Sequence, residues 1–471
     1  MILTVALIIA WRQNAIQNLW QCFAGCGGLS EGFTQAGFTV AAEIEMDKWA
    51  CETLKTRHFF HELRKAHKLN LYASYIRGKL SRDEVLASQP DIKETLSKRV
   101  IRATLGKDDM EAVLQKIEAS LAYHGASRVN VLLGGPPCQP YSSIGRSRDP
   151  DRMENDQRHY LYRHYLTIMK RLKPDFFVYE NVPGLFSAKA EGERIFGKLL
   201  EDFYSLDPQY EITPPLHMVR ERPGSYILNS ADFGVPQQRK RLILIGYRKD
   251  LEQYNPRIEK IFGRLQQIAS ENRKSGRITV RDAISDLPSV KAGEGNDQYY
   301  GRYEVEKELS PYQNRMRRRS PGILNHRART HMDSDLERYK FFIEHHRNGR
   351  KAVMLTDLIE QRPDLKPEHK NIKDFEDRFR VQWWDSPSST IMAHISKDGH
   401  YYIHPDIKQC RSFTVREAAR CQSFPDNYKF EGPRTEQFKQ VGNAVPPGLA
   451  YQVARVILAE LRKVDENQNL T

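Results

Sequence analysis

One cysteine and three charged side chains define the chemistry open to this chain. Cys138 stands in GGPPCQPYSSIGR, behind two prolines and the apolar run Val129 to Leu133. Proline fixes its own φ and restrains the residue before it, so the thiol is predicted on a rigid, extended loop above a sheet. A thiol held in that way suits nucleophilic attack; the competing reading is a buried cysteine packed as a small hydrophobe. Glu180 and Asn181 lie in YENVPGL, at the exit of another strand-like run. In open α/β sheets the carboxyl ends of the strands line the ligand crevice, so Glu180 and Cys138 could converge there. The plainer reading is an ordinary acidic residue at a strand exit. Arg239 and Arg241 alternate in FGVPQQRKRLILIGY. Alternate residues of a strand share a face, so both guanidiniums are expected in one cleft.

A second site is suggested by FAGCGGLSEGF, where Gly25, Gly27 and Gly28 precede a helix. Glycines let the backbone approach a ligand, and the helix start offers free N–H groups. Glu45 follows the next strand at roughly the 20-residue spacing at which nucleotide-binding α/β units place a ribose-binding carboxylate. A glycine-rich turn by itself is more often a tight connection. QVGNAVPPGLA places Asn443 in a turn before the final helix.

The elements that must position these residues follow from periodicity. Phe38 to Ala42, Val129 to Leu133, Phe176 to Tyr179 and Leu242 to Tyr247 read as strands, separated by helical patterns such as Tyr160 to Leu172. That alternation predicts an α/β fold with a doubly wound, mostly parallel sheet. The charged stretch Leu80 to Tyr123 reads as an insertion between two strands. From about residue 250 basic clusters and aromatic pairs replace the rhythm. Residues 251–410 are therefore expected to form a second, smaller domain, with 1–250 and 411–471 forming the first. Within the second, HISKDGHYYIHPD has a hairpin pattern, and RMRRR (Arg315 to Arg319) and NHRARTH (Asn325 to His331) are candidate nucleic-acid contacts.

Composition narrows the partners. Lys and Arg number 73 against 60 Asp and Glu, a net charge of +13 that favours a polyanion. The mean hydropathy of -0.65 describes a soluble protein. The opening MILTVALIIAW lacks a basic flank and a cleavage site and falls short of the roughly 20 residues that span a bilayer. It is read as a core strand or a misplaced start, and no membrane is expected. The six cysteines form no CxxC pair, which points to a reduced, cytoplasmic setting without a metal.

Taken in order, the PPCQ, ENV, QxRxR and GNAVP segments resemble the DNA cytosine-5 methyltransferase family of bacterial restriction-modification systems. The resemblance covers most of residues 20–250 and 410–460, and places 251–410 where that family carries its target recognition domain. It implies the S-adenosylmethionine-dependent methyltransferase fold, S-adenosylmethionine as cofactor, and duplex DNA as partner, with a cognate restriction endonuclease acting on the same sequence. Cys138 would attack C6 of a flipped cytosine, and Glu180 would contact N3 and the amino edge. Asn181 would hold that loop, and Arg241 with Arg239 would contact the base and the active-site loop. Phe23, Gly25, Gly27 and Gly28 would surround the methionine end of the cofactor, Glu45 its ribose and Met46 its adenine, with Asn443 in the final cofactor-side motif. The arginines after the nucleophile, Arg146, Arg148, Arg152 and Arg158, would meet phosphates.

Two departures bear on the cofactor. Gln21 and Cys22 stand where the family usually has Asp-Leu before Phe23, and the stretch Arg12 to Gln21 leading into them is polar, so either the first strand is displaced or the N-terminal sequence is not that of the functional protein. No Asp occurs between Asp47 and Asp83, so the family's usual adenine N6 partner is missing or comes from elsewhere. Two alternatives follow: a tRNA cytosine-5 methyltransferase, which would prefer RNA in competition, and a non-catalytic DNA-binding relative with an impaired cofactor site.

Overall fold

Asn18–Cys22 forms the first strand, β1, with Leu19, Trp20 and Cys22 fully buried. It runs parallel between β2 (Thr39–Glu45) and β4 (Val131–Gly134). The expected displacement of this strand is therefore corrected: burial on both faces selects Leu, Trp and Cys, and tertiary pairing overrides the polar flanks. The computed structural model describes all residues except 1–16, 127, 137–159, 191–192, 214–225, 255–257, 304–307, 346–352, 369–371, 373–375 and 469–471. Cys138, the four arginines after it and the apolar opening segment lie outside the described residues.

Beyond β2 lies β3 (Val100–Arg102), and beyond β4 lies β5 (Phe176–Asn181); all five strands are parallel. The remaining three are β6 (Tyr210–Thr213), β7 (Ile227–Asn229) and β8 (Lys240–Arg248), with β8 antiparallel to β5, β6 and β7. The order β3-β2-β1-β4-β5-β8-β6, with β7 on β8, reverses direction between β1 and β4. Such a reversal opens a crevice at the carboxyl edge. The strands read at Phe38 to Ala42, Val129 to Leu133, Phe176 to Tyr179 and Leu242 to Tyr247 are present; β1, β3, β6 and β7 were not read, β3 being three residues long inside the charged insertion, where it follows the helix Pro90–Arg99.

Two apolar layers cover the sheet. One joins Trp20, Ile44, Leu132, Phe177 and Tyr179 to the helices Met110–Tyr123, Tyr162–Leu172 and Ile195–Tyr204. The other joins Leu19, Val131, Val178 and Ile245 to helix α1 (Gly28–Ala36) and the last helix, here α4 (Pro447–Gln468). Between those two in chain order, two further helices bear on the site, α2 (Lys48–Lys65) and α3 (Arg434–Asn443).

Residues after 250 do not share one core. Helix Ile258–Ser275 packs with α4 in the sheet layer through Ile261, Phe262, Leu265 and Ala269. Residues from Val280 to Ile323 bury themselves with Phe413 to Ala444. A separate core gathers Tyr339, Phe342, Leu358, Phe379 and Ile403. The expected hairpin in HISKDGHYYIHPD is instead a pair of 3-10 turns, Ala393–Ser396 and His400–Tyr402. Gly399, at φ 81°, breaks the strand geometry there. The two basic clusters are turned inward only in part: Arg315, Arg318, Arg319 and Arg327 are exposed, whereas Arg317 and Arg329 are half-buried. Arg317 donates to Asp286 at 2.7 Å and stacks on Tyr303, while Arg329 donates to the carbonyls of Ile395, Ser396 and Lys397. His326 is buried between Thr414 and the Pro288 carbonyl, and Asn325 donates to the Phe430 carbonyl.

Candidate active site

Strand direction brings the first pair of charges together. Because β8 enters antiparallel to β5, its first residues reach the edge at which β5 ends, with Ile243 opposite Glu180 and Leu242 opposite Asn181. Arg241 therefore lies diagonal to Glu180 on the same face. Its Nε sits 2.9 Å from Glu180 Oε1, and both side chains are almost enclosed, at 12% and 13% exposure. Burial raises the Glu180 pKa above the usual carboxylate value, with the Arg241 and Arg239 charges pulling it back. The carboxyl group is thus shifted toward the form that can donate a proton.

The root of the PPC loop reaches the same place. A Cβ on Gly135 would lie 2.8 Å from Glu180 Oε2, so glycine is what lets this backbone pass the carboxylate. Asn181 Nδ2 donates to the Pro136 carbonyl at 3.4 Å and its Oδ1 accepts from the Val182 N–H at 2.9 Å. Asn181 thereby links the ends of β4 and β5, two residues before Cys138 in sequence.

The glycine-rich turn occupies the other side of the crevice. Gly27, at φ 82°, is the residue at which the chain turns into α1, and Phe23 also adopts a left-handed φ of 53°. Nothing lies within 4 Å of a Cβ built on Gly25. Glu45 ends β2 beside it: Oε2 accepts from the Gly25 N–H at 2.7 Å, and Oε1 accepts from the Met46 and Asp47 N–H groups at 2.9 Å each. Burial raises the Glu45 pKa, opposed by those three donors. Asp47 caps α2 by accepting from the Ala50 N–H, which leaves Met46 projecting with 55% of its surface exposed. An exposed methionine beside a buried carboxylate is a platform for a flat apolar ring. At the end of β3 stands Arg102, whose Nε donates to the Met46 carbonyl at 3.3 Å.

Residues not singled out from sequence hold the turn from behind. The Tyr428 hydroxyl donates to the Cys26 carbonyl, and Cys26 Sγ donates to the Gln440 carbonyl at 3.4 Å. Arg57 pairs with Glu31 at 2.5 Å and donates to Asn427, while Glu43 accepts from Ser30 at 2.5 Å and contacts His58. A Cβ on Gly28 would meet the Val445 carbonyl at 2.2 Å. Asn443, exposed at the end of α3, is two residues from that contact. These partners come from the two ends of the chain, and no local pattern announces such pairing.

Arg239 departs from the expected placement. It precedes β8, is 1% exposed, and donates to the carbonyls of Ile391 at 2.6 Å and Gly442 at 2.9 Å. Only Arg241 of the two aims its guanidinium at Glu180.

The sequence profile of the C-5 cytosine-specific DNA methylase family matches residues 18–75 and 93–459. The chain belongs to that family. The gap in the methylase match falls on the helix Arg82–Ala87, inside the charged insertion. The Type II methyltransferase M.Bpa9945I of Bacillus paralicheniformis is 43% identical over 92% of this chain and 97% of its own length. M.DdeI of Desulfomicrobium norvegicum is 29% identical over 93% of this methylase and 88% of that protein. Among solved structures, a candidate DNA modification methyltransferase encoded within an E. coli prophage superposes with a TM-score of 0.58 at 20% identity, covering 94% of this chain and 99% of that one. The likeness carries the same fold over 94% of the chain. Among the described residues no group of His, Cys, Asp or Glu could hold a metal ion, and no helix is long and apolar enough to cross a membrane.

Proposed function

We propose that this methylase transfers a methyl group from S-adenosylmethionine to C5 of a cytosine within a short specific sequence of duplex DNA, and protects that sequence from a cognate restriction endonuclease in the cytoplasm. The observation that carries the reading is the Glu180–Arg241 pair set against the root of the PPC loop. At most about 7 Å of chain separates Pro136 from Cys138.

The residues at the ends of β1 and β2 fit the cofactor. Open space at Gly25 admits the methionine end, the outer lone pair of Glu45 Oε2 suits a ribose hydroxyl, and Met46 suits adenine. When bound there, S-adenosylmethionine supplies an electrophilic methyl group. No cation is needed beside a sulfonium.

The chain's own groups act on the base. The Cys138 thiolate adds to C6, which makes C5 electron-rich. Glu180, its pKa raised by burial, donates to N3 and so stabilises the charge that addition places on the ring. Arg241 fixes the carboxyl orientation. After transfer a proton leaves C5 and the cysteine is expelled as thiolate, which restores the aromatic ring. The base must leave the stack first, at a cost of a few kcal/mol, and the net charge of +13 favours the phosphate contacts that offset it. Residues 251–410 are assigned to target reading, centred on the separate core around Tyr339 and Phe379.

Bisulfite sequencing of plasmid recovered from cells expressing this chain, beside a Cys138→Ala control, tests the proposal. Protected cytosines in one short motif, absent from the control, are the expected result; unmodified DNA with soluble protein present would overturn it.

A further inference from the structure

We propose that Arg239 is a positioning residue that fixes the target-reading segment and the cofactor-side turn against the strand carrying Arg241. The inference rests on the functional reading above. Before β8 begins, Pro236 to Arg239 is zipped to Ser388 to Ile391. The Ser388 N–H donates to the Pro236 carbonyl at 2.9 Å, the Gln238 N–H to the Ser388 carbonyl at 2.8 Å, and Thr390 Oγ1 to the Gln238 carbonyl at 2.6 Å. The Gln237 side chain accepts from the Ile391 N–H at 2.8 Å and donates to the Cys421 carbonyl at 3.3 Å. This ribbon leads on one side to Arg241 and on the other to the turn Ala393–Ser396.

That turn meets α3 backbone to backbone. A Cβ on Gly442 would fall 2.3 Å from Ala393 N and from Met392 C, so only glycine permits the approach. The Arg239 fork closes the junction, with Nη1 on the Ile391 carbonyl and Nη2 on the Gly442 carbonyl. A guanidinium is planar, so its two N–H directions fix the spacing of both acceptors; an ammonium cannot do this. From Gly442 the restraint reaches the glycine-rich turn quickly. Gln440 accepts from Cys26, Asn443 follows Gly442, and the Val445 carbonyl abuts Gly28. One buried side chain thus sits where the catalytic strand, the segment entering the second region and the helix behind the cofactor turn come together.

The test uses the full chain with Arg239→Met and Arg239→Lys. S-adenosylhomocysteine binding is measured by calorimetry, binding to unmethylated plasmid fragments by filter retention, and kcat at saturation of both substrates. Arg239→Met is expected to raise both Kd values at least tenfold, with Arg239→Lys intermediate. A folded Arg239→Met protein with either Kd native-like, or a loss confined to kcat, overturns the proposal. If Arg239→Met does not fold, the same two Kd values in Arg239→Lys decide it by the same criterion. A native chain that binds no S-adenosylhomocysteine would instead refute the cofactor assignment itself.

Discussion

Removing Arg241 offers the sharpest test of how the base-binding carboxyl group works. Its Nε lies 2.9 Å from Glu180 Oε1 in a nearly enclosed setting. As Glu180 gives its proton to N3, carboxylate charge develops beside Arg241, and at an effective dielectric near 20 unit charges about 4 Å apart attract by about 4 kcal/mol. Desolvation and the nearby Arg239 charge offset part of this, which leaves about 2 to 3 kcal/mol of coupling. Arg241→Met should therefore lower the single-turnover rate of methyl transfer by roughly 30- to 150-fold. In a Glu180→Gln background the same substitution has no carboxylate left to orient, and should cost no more than about threefold. Transfer of labelled methyl groups to duplex DNA, with enzyme and cofactor in excess, isolates this step from product release. Equal losses in the two backgrounds would show that Arg241 acts independently of Glu180.

Other consequences follow from the same geometry. Glu45→Gln replaces one carboxylate oxygen by an amide NH2 facing backbone donors, so cofactor affinity should fall at least tenfold in calorimetry while DNA retention is unchanged; parallel losses of both would contradict this. Gly32→Ala places a methyl group 2.4 Å from Ala450 Cβ and 2.5 Å from the Tyr451 nitrogen, which should cost about 1 to 3 kcal/mol of stability in urea; an unchanged midpoint would refute the packing argument. Burial pushes the imidazoles of His61 and His404 down to about 3, and that of His326 to about 4. An unfolded histidine takes its proton near pH 6.5, whereas these folded ones do not, so stability should fall as pH drops from about 6.5 toward 4. Each contributes about 1.4 kcal/mol per pH unit in that window. A urea midpoint that stays level between pH 7 and 5 would rule this out.

How legible the molecule was depends on the distance between cooperating residues. The strands leading to Glu180 and Arg241 were legible because parallel strands buried on both faces read as apolar runs, and the turns after them carry Gly, Pro and Asn. Cys138 and Glu180 follow such apolar runs in the sequence and Arg241 precedes one, which is what marked them together. β1 was hidden, since its neighbours rather than its own residues make NLWQC a strand. Arg239 was misread for a related reason. Alternation places two side chains on one face only within a strand, and β8 starts one residue later. The inward turn of Arg317, Arg329 and His326 was equally invisible, because a charge run does not disclose whether carbonyls from distant segments wait beside it.

The contact of Gly28 with the Val445 carbonyl ties a turn near the start of the chain to one near its end. A ribosome delivers these segments far apart in time, with Tyr428, Gln440 and Val445 arriving only at the close of synthesis. The glycine-rich turn of a nascent chain therefore lacks its backing until translation is nearly done. A premature stop before residue 428 should yield a chain with every base-directed group that the sequence displays, yet one unable to modify DNA, so in a host carrying the matching nuclease such a truncation would be lethal rather than merely weak.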